Sequence, residues 1–386
     1  MKILLAPDSF KGSISSIEFC NIAEAAIKRI DERIEVIKLP MADGGEGTVE
    51  CIAEAANVRI IQKRVLNPLG KEFEASFCIS GDNNTAIIEL AKASGLPLIA
   101  EKRRNPMITT TFGTGQLIKE ALDQGCRKII VGLGGSATND GAMGLLSALG
   151  IRFLAEKGGD VSFGAKGLLE LVQIDTGKMD SRISETEFIG ACDVENPLYG
   201  ESGASYVFGP QKGADPDMII TMDQGLRNYA EVIHRTTGKD IAFSKGAGAA
   251  GGAGAGIIAF LNAKLTPGAE IVKEILGFNR ILKEEKVDLI ITGEGEINYQ
   301  TAFGKLPCRV AEEAEKYGIP VVALVGKIGE GAVDLHKKGI SGIFSIANRP
   351  MTLNQAIENS NQLLYDTVYE AVNFYYQIRL LQCREK

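Results

Sequence analysis

The sequence predicts an α/β protein, in which a discontinuous, doubly wound Rossmann-like domain carries a second, inserted α/β domain. Strand-like and helix-like patterns alternate over the first 57 residues, and the alternation returns over the last hundred. This is the pattern of a parallel sheet with helices on both faces. A chain of 386 residues is also too long for one ordinary hydrophobic core. We therefore expect residues 1–65 plus 285–386 to form the first domain and residues 66–284 the inserted one.

The individual elements of this prediction rest on apolar spacing and on end signals. Residues 2–6 are a continuous apolar run, as in a buried parallel strand. Ser15 and Glu18 have capping-box spacing and predict the start of a helix, and Pro307 predicts the start of another. Further strands are predicted at 34–39, 58–65, 72–79, 86–90, 128–133, 288–291, 321–325 and 340–346, and further helices at 46–56, 115–124 and 353–380.

Composition narrows the class of function. Net charge is −7 (42 basic against 49 acidic residues), which gives a nucleic acid or an anionic membrane no general electrostatic support. The seven cysteines form no C-x-x-C pair, which argues against a zinc site and a disulfide framework. The apolar start of the chain is too short for a signal peptide. We expect a cytoplasmic protein that is a monomer or a homodimer, with a small-molecule substrate.

Four apolar strands run directly into segments rich in glycine and in acidic or hydroxyl residues. In open α/β sheets, ligands bind beyond the carboxyl ends of the strands, and glycine there exposes backbone N–H groups that favour phosphate. Any one such segment could equally be a plain strand-to-helix turn, but four in one chain favour a site. The segments are residues 7–13, 41–48, 132–141 and 292–298.

These segments and their neighbours contain the side chains that phosphoryl transfer needs: carboxylates for magnesium or for a base, and cations for phosphates. An isolated Asp or Lys is usually a solvated surface residue, and only the glycine-rich surroundings favour function here. The candidate carboxylates are Asp43, Glu46, Asp193 and Glu294, and the candidate cations are Lys11, Lys212 and Lys305.

Other classes of enzyme receive weaker support. No G-x-x-x-x-G-K-[ST] sequence is present, which excludes a P-loop as a sequence prediction. Gly246, Gly248 and Gly251 match the dinucleotide pattern G-x-G-x-x-G, which leaves an NAD-type oxidoreductase acting on a small hydroxy acid as an alternative. The same glycines could contact phosphate or let a helix pack closely. His234 and His336 lie outside every glycine-rich segment, which disfavours a Ser-His-Asp hydrolase.

Several motifs, in order and over nearly the whole chain, resemble those of the bacterial-type glycerate kinases of the first structural class. The motifs are APDSFK at 6–11, ADGGEGT at 42–48, GGSATNDG at 134–141, ACDVENPL at 191–198, FGPQKGA at 208–214, GAGAAGG at 246–252, TGEG at 292–295, and the pairs Gln300-Thr301 and Gly304-Lys305.

The resemblance implies ATP-dependent phosphorylation of D-glycerate, most simply to 2-phosphoglycerate, with ATP and Mg²⁺ bound in a cleft between two α/β domains. It implies catalytic roles for Asp43, Asp193 and Lys305, and a magnesium-binding role for Glu294. The residues implied to bind substrate or nucleotide are Ser9, Lys11, Gly44, Gly45, Glu46, Gly134, Gly135, Ser136, Thr138, Asn139, Asp140, Lys212, Gly248 and Gly251.

One motif departs from the family pattern. The family usually reads T-G-E-G-R-[IL]-D-x-Q-[ST], whereas this chain has Glu296 in place of the arginine and Asn298 in place of the aspartate. The change reverses one charge and removes another. It supports a second alternative, a catalytically weakened paralogue that binds ligand to regulate another process. On sequence grounds, restoring Arg and Asp together is expected to raise kcat/KM.

Overall fold

A computed structural model describes residues 1–10, 12–41, 58–303 and 305–384 of the chain. The strands are β1 (Lys2–Leu5), β2 (Glu35–Lys38), β3 (Arg59–Leu66), β4 (Glu72–Ile79), β5 (Thr85–Glu89), β6 (Lys128–Gly132), β7 (Arg152–Leu154), β8 (Gln173–Asp175), β9 (Glu187–Ala191), β10 (Lys264–Thr266), β11 (Leu289–Ile297), β12 (Val321–Ile328) and β13 (Ile340–Ser345).

The α-helices described lie between these strands and at the end of the chain. They are α1 (Ser16–Ile30), α2 (Leu90–Ser94), α3 (Phe112–Asp123), α4 (Met143–Ala148), α5 (Ala165–Glu170), α6 (Ala204–Phe208), α7 (Pro216–Thr237), α8 (Ala249–Leu261), α9 (Gly268–Ile275), α10 (Phe278–Glu284), α11 (Leu306–Glu315), α12 (Leu353–Glu358) and α13 (Ser360–Arg384). The helix predicted at 46–56 lies outside the described residues.

Residues 1–41 and 272–384 belong to one unit, here called the first unit. Its sheet has the order β13-β12-β11-β1-β2, and every pair of neighbours is parallel. Counted within this unit alone, the strand order is 2-1-3-4-5, as in doubly wound folds of the flavodoxin type. The strand order changes direction between β1 and β11, and this is where such folds bind their ligands.

Helices pack on both faces of the inner strands of the first sheet, such as β1, because these strands are apolar and buried. Ile3 and Leu5 of β1 share a buried cluster with Phe19 of α1 and with Leu364 of α13, and α11 contacts β11 and β12. The predicted capping box starts α1: the backbone N–H of Glu18 donates to Ser15 Oγ (3.2 Å), and that of Ser15 donates to Glu18 Oε2 (2.9 Å). The predicted α/β class is confirmed.

Residues 58–271 belong to the second unit. Its main sheet has the order β10-β9-β6-β5-β4-β3. The first four strands in this order run parallel, whereas β3 and β4 pair antiparallel at the edge. A two-stranded hairpin of β7 and β8 lies apart from this sheet. The unit has its own buried apolar cluster, which includes Phe77, Ile129, Leu145 and Tyr229.

Some boundaries differ from the sequence expectation, and the single helix predicted at 353–380 is divided at Asn359 into α12 and α13. Residues 292–297 were predicted as a glycine-rich loop, but they continue β11, because β12 also extends further and pairs with them up to Ile297 and Ile328. Glycine at 293 serves packing: a Cβ there would lie 2.8 Å from the ring of Phe19. The proposed domain boundary at residue 65 falls inside β3. The division into domains at 65 and 285 stays a prediction.

Within the described ranges, no helix is both long enough and apolar enough to cross a bilayer.

Candidate active site

In the first unit, the chain that leaves β1 runs alongside β11. The backbone N–H of Ala6 donates to the carbonyl of Ile291 and that of Asp8 to the carbonyl of Gly293, each at 2.8 Å. Thr292 Oγ1 also donates to the carbonyl of Ala6 (2.8 Å). Asp8 and the predicted binding residue Ser9 are therefore held at the carboxyl end of β1, next to the strand that carries Glu294. This is the edge where the strand order predicts a ligand.

Glu294 lies on β11 with about 7% of its surface exposed. Its Oε1 accepts a hydrogen bond from Thr301 Oγ1 (2.9 Å), and its Oε2 lies 3.4 Å from Lys305 Nζ. Lys305 stands at the N-cap of α11, and its half-exposed side chain reaches back to the strand. The predicted magnesium ligand and the predicted catalytic lysine are thus neighbours.

Glu296, the first departure from the family pattern, also lies on β11, two residues beyond Glu294. Its Oε1 lies 3.1 Å from Lys327 Nζ on β12 and accepts a hydrogen bond from Asn298 Nδ2 (3.3 Å). The nearby ammonium of Lys327, followed by the Asn298 amide, lowers the pKa of Glu296. Asn298 Oδ1 in turn accepts from the backbone N–H of Gln300 (2.9 Å). These residues form one connected arrangement.

In the second unit, the segment after β6 contains one exposed part and one buried part. Gly134 and Gly135 are exposed, whereas residues 136–140 are buried. Gly135 has φ +69°, a conformation that residues with a Cβ rarely adopt. The exposed pair can present its backbone to a ligand. The buried residues that follow, from Ser136 to Asp140, anchor the exposed pair to the interior of the unit.

Asp140 is buried and is surrounded by donors. It accepts hydrogen bonds from the backbone N–H and the hydroxyl of Thr111 (2.8 and 2.9 Å), and from the backbone N–H groups of Ala142 and Gly144 (both 3.3 Å). Burial raises the pKa of Asp140, and these hydrogen bonds oppose the rise. The carboxylate therefore holds the turn into α4 against the start of α3.

Lys212 is also buried, and its Nζ donates to the carbonyl of Thr138 (2.7 Å). Burial lowers the pKa of Lys212 to about 7, although the nearby Asp140 carboxylate acts in the opposite direction. Among the described residues, Thr138 Oγ1 and Asn139 Oδ1 are buried without a hydrogen-bond partner, while Asn139 Nδ2 donates to Ser205 Oγ (3.3 Å). Buried polar atoms are normally paired, which makes these two atoms candidates for a water or a ligand contact.

Gly248 and Gly251 pack against other backbone segments, and Gly246 packs against the side chain of Leu265. A Cβ on Gly251 would lie 2.1 Å from the carbonyl oxygen of Thr138, and one on Gly248 would lie 2.2 Å from that of Pro197. The backbone N–H of Gly141 donates to the carbonyl of Gly251 (3.1 Å). The described residues immediately before these glycines form no strand, whereas a dinucleotide motif requires a strand there. The geometry gives the oxidoreductase alternative no support.

Asp193 follows β9 and lies next to the segment that contains Gly134. Gly132 of β6 and Ala191 of β9 are register partners, so the two segments leave the sheet side by side. Asp193 is exposed, and its Oδ1 accepts a hydrogen bond from the backbone N–H of Gly268 (3.1 Å) at the start of α9. The second unit therefore places a carboxylate beside exposed glycine backbone, at one edge of its sheet.

The chain is similar to known proteins over nearly its whole length. The model of the glycerate kinase family matches residues 3–376. A glycerate kinase from Halalkalibacterium halodurans is 45% identical, with 94% of this chain and 95% of that protein covered. The glycerate 2-kinase of Escherichia coli K12 is 42% identical, with 96% of each covered. A crystal structure assigned to glycerate kinase 2 of Salmonella typhimurium LT2 is 42% identical, covers 99% of both chains and has a TM-score of 0.88.

The chain belongs to the glycerate kinase family. Within this family the described residues place Ser9, Glu294 and Lys305 in the first unit, and Gly134, Gly135, Ser136 and Asp193 at a sheet edge of the second. Five residues predicted for the glycerate kinase site lie outside the described part of the chain, namely Lys11, Asp43, Gly44, Gly45 and Glu46. Their roles stay predictions, as do those of the other site residues.

Sequence reasoning missed two features of this glycerate kinase family member. Lys327 belongs to no motif, and only the register of β12 against β11 brings it to Glu296. The support beneath the Gly134 segment was also missed, because nothing in the sequence shows that Lys212 is buried. A cavity of about 490 Å³ opens elsewhere in the second unit, lined by Phe112, Phe153 and Phe163 among others, but none of the predicted site residues lines it.

Proposed function

We propose that this protein is an ATP-dependent glycerate kinase, which transfers the γ-phosphoryl group of ATP to D-glycerate and releases ADP. The observation that carries the proposal is the match to the glycerate kinase family over residues 3–376. Relatives at 42–47% identity that are named for glycerate phosphorylation support it. The product assigned is 2-phosphoglycerate, in keeping with the name of the Escherichia coli relative.

In the proposed reaction, a hydroxyl oxygen of D-glycerate forms a bond to the γ-phosphorus, and the bond between that phosphorus and the bridging oxygen of ADP breaks. The hydroxyl proton moves to a carboxylate, a role proposed for Asp193 or Asp43. Lys305 and Lys11 are assigned to neutralise the phosphates or the glycerate carboxylate. The backbone N–H groups near Gly134 and Gly135 supply further donors to anionic oxygens.

Magnesium bound with the nucleotide neutralises charge on the β- and γ-phosphates. The described ranges contain no cluster of three or more His, Cys, Asp or Glu residues able to hold a metal. Magnesium in nucleotide sites commonly needs only one or two protein carboxylates, since phosphates and waters supply the other ligands. Glu294 fits this requirement by chemistry and by its position on β11, and we assign it to the magnesium.

A coupled assay of ADP release tests the proposed function. We expect ADP formation that depends on D-glycerate and on Mg·ATP, with L-glycerate and glycolate as matched controls at the same concentration. Phosphorus NMR of the product separates 2-phosphoglycerate from 3-phosphoglycerate. If D-glycerate raises ADP release no more than the controls do, the proposed function is wrong.

A further inference from the structure

Lys327 provides a positive charge next to Glu296, where this chain departs from the family pattern. Glu296 of β11 and Lys327 of β12 are register partners near the carboxyl ends of two parallel strands, and 3.1 Å separates their charged atoms. Two residues earlier on β11, Glu294 lies 3.4 Å from Lys305. Residues 294 and 296 point to the same face of the strand. That face therefore carries two carboxylates and two ammonium groups.

The charge at positions 296 and 298 differs from that of the family pattern, and in this chain Lys327 neutralises the excess negative charge. An arginine at 296 and an aspartate at 298 add to zero. Glu296 and Asn298 alone add to −1, and Lys327 brings the total back to zero. Because Glu296 and Asn298 are hydrogen-bonded to each other and Glu296 holds Lys327, the three side chains form one ordered group.

Lys327 can also reach an anionic ligand. About 69% of its side chain is exposed, so the ion pair with Glu296 leaves its ammonium accessible to solvent. A lysine ammonium has three donor hydrogens, and a single carboxylate partner does not use all of them. Folds of this type bind ligands beyond the carboxyl ends of their parallel strands, and Lys327 lies near the carboxyl end of β12, the strand next to β11.

We propose that Lys327 is an anion-binding residue of the phosphoryl-transfer site, and that Glu296 and Asn298 position its ammonium. The ligand is a phosphate of the nucleotide or the carboxylate of the hydroxy acid, since both present oxygens of the same charge. This inference rests on the proposed function. It reverses the expectation from sequence alone, because an arginine at 296 would place a second cation directly against Lys327.

The test compares Lys327→Ala with Lys327→Arg in the full-length protein. The matched control is Lys337→Ala, which removes another exposed lysine of the first unit from an ion pair, in this case with Asp334 at 2.8 Å. We expect Lys327→Ala to lower kcat/KM at least tenfold through a higher KM, Lys327→Arg to restore most of the loss, and the control to stay within twofold. A higher KM for ATP assigns the phosphate, and a higher KM for D-glycerate assigns the carboxylate.

A role in folding alone makes a different prediction. Glu296→Gln breaks the same ion pair and leaves the Lys327 ammonium in place. If the pair only stabilises the fold, Glu296→Gln and Lys327→Ala should therefore lower kcat/KM by equal factors. Equal losses, or a Lys327→Ala variant that behaves like the control, would overturn the inference. Calorimetric titration with ADP and with D-glycerate gives a readout that does not depend on turnover. An inactive parent protein, by contrast, contradicts the proposed function itself.

The family pattern provides a second comparison. Glu296→Arg with Asn298→Asp should lower kcat/KM below that of the parent, because two cations then face each other across β11 and β12. Adding Lys327→Ala to this pair should recover activity. If the double variant is faster than the parent, Lys327 does not supply the missing charge, and the inference fails.

Discussion

Lys212 carries its ammonium into the interior of the second unit, where only about 1% of the residue is exposed. Lysine is almost never fully buried unless it has a partner, and here the partners are the carbonyl of Thr138 and the nearby Asp140. The family motif that contains Lys212 suggested a ligand contact. The described contacts show that the amine holds the buried segment from which Gly134 and Gly135 project, and the ligand contact stays a prediction.

The low pKa of Lys212 predicts how stability depends on pH. Its pKa falls from 10.5 to about 7 on burial, so between pH 7 and 10 the unfolded chain binds the proton more strongly than the folded protein does. The free energy of unfolding that this residue contributes therefore rises with pH across that window. In urea unfolding, the free energy of unfolding should rise more between pH 7 and pH 9.5 in the parent than in Lys212→Met. An equal rise in the two proteins would contradict this prediction.

Asp193 allows a clean separation of catalysis from stability. Asp193→Asn keeps an oxygen to accept the hydrogen bond from the Gly268 N–H but loses the charge that a base or a metal ligand needs. We expect turnover of D-glycerate to fall by about 100-fold or more, the usual scale for a lost general base, with little change in the melting temperature. Asp217→Asn, an exposed change in α7, is the control. Unchanged turnover would assign Asp193 to the start of α9.

At the scale of elements, two segments with positive φ pack against each other, one just before α4 and one within the first turn of α8. Residues 250–252 have φ values of +53°, +70° and +86°, and Gly141 and Ala142 have +61° and +65°. Gly251 lies against the carbonyl of Thr138, the same carbonyl that accepts from Lys212. The alanine- and glycine-rich composition of 246–256 is therefore explained by close packing.

Gly251→Ala tests this packing. The matched control is Gly238→Ala, since Gly238 has φ +72° and an added Cβ there would meet no atom within 4 Å. A left-handed conformation alone costs an alanine about 1–2 kcal/mol, which is the loss expected in the control. Gly251→Ala adds a contact of 2.1 Å with backbone and should cost about 2 kcal/mol more, since overpacked sites typically lose 1–3 kcal/mol. If urea unfolding shows equal losses of stability in Gly251→Ala and Gly238→Ala, the two segments can move apart without strain.

Local patterns predicted the elements well where the signal lies within the element itself. The capping box of α1, the apolar runs of β1 and β6 and the glycine-rich segment after β6 were all recognisable. Residues 292–297 were misread because their glycines indicate a turn, whereas pairing with β12 makes them a strand. The contact between Glu296 and Lys327 was not predictable for the same reason. It depends on the register between strands, and no motif records that register.

At the scale of the whole molecule, the return of strand–helix alternation near the C-terminus predicts a domain built from both ends of the chain, and that division stays a prediction. The structure confirms an α/β fold, in which β1 and β2 share a sheet with β11, β12 and β13. The candidate site was predictable only as a set of segments. Burial decides which side chains of a segment face solvent and which anchor the segment to the interior. Burial arises from tertiary packing.

The pairing of β1 with β11 also has a consequence for synthesis of the chain. Ile3 is the register partner of Leu289, so β1, an inner strand of the first sheet, is made before the second unit and its neighbour β11 is made after it. A ribosome that adds about 5–20 residues per second needs roughly 10–50 s to travel from the end of β2 to the start of β11. During that time, the apolar strand β1 lacks the neighbour, β11, that pairs along one of its edges in the folded protein. The second unit, whose strands all lie between these two points, is complete first.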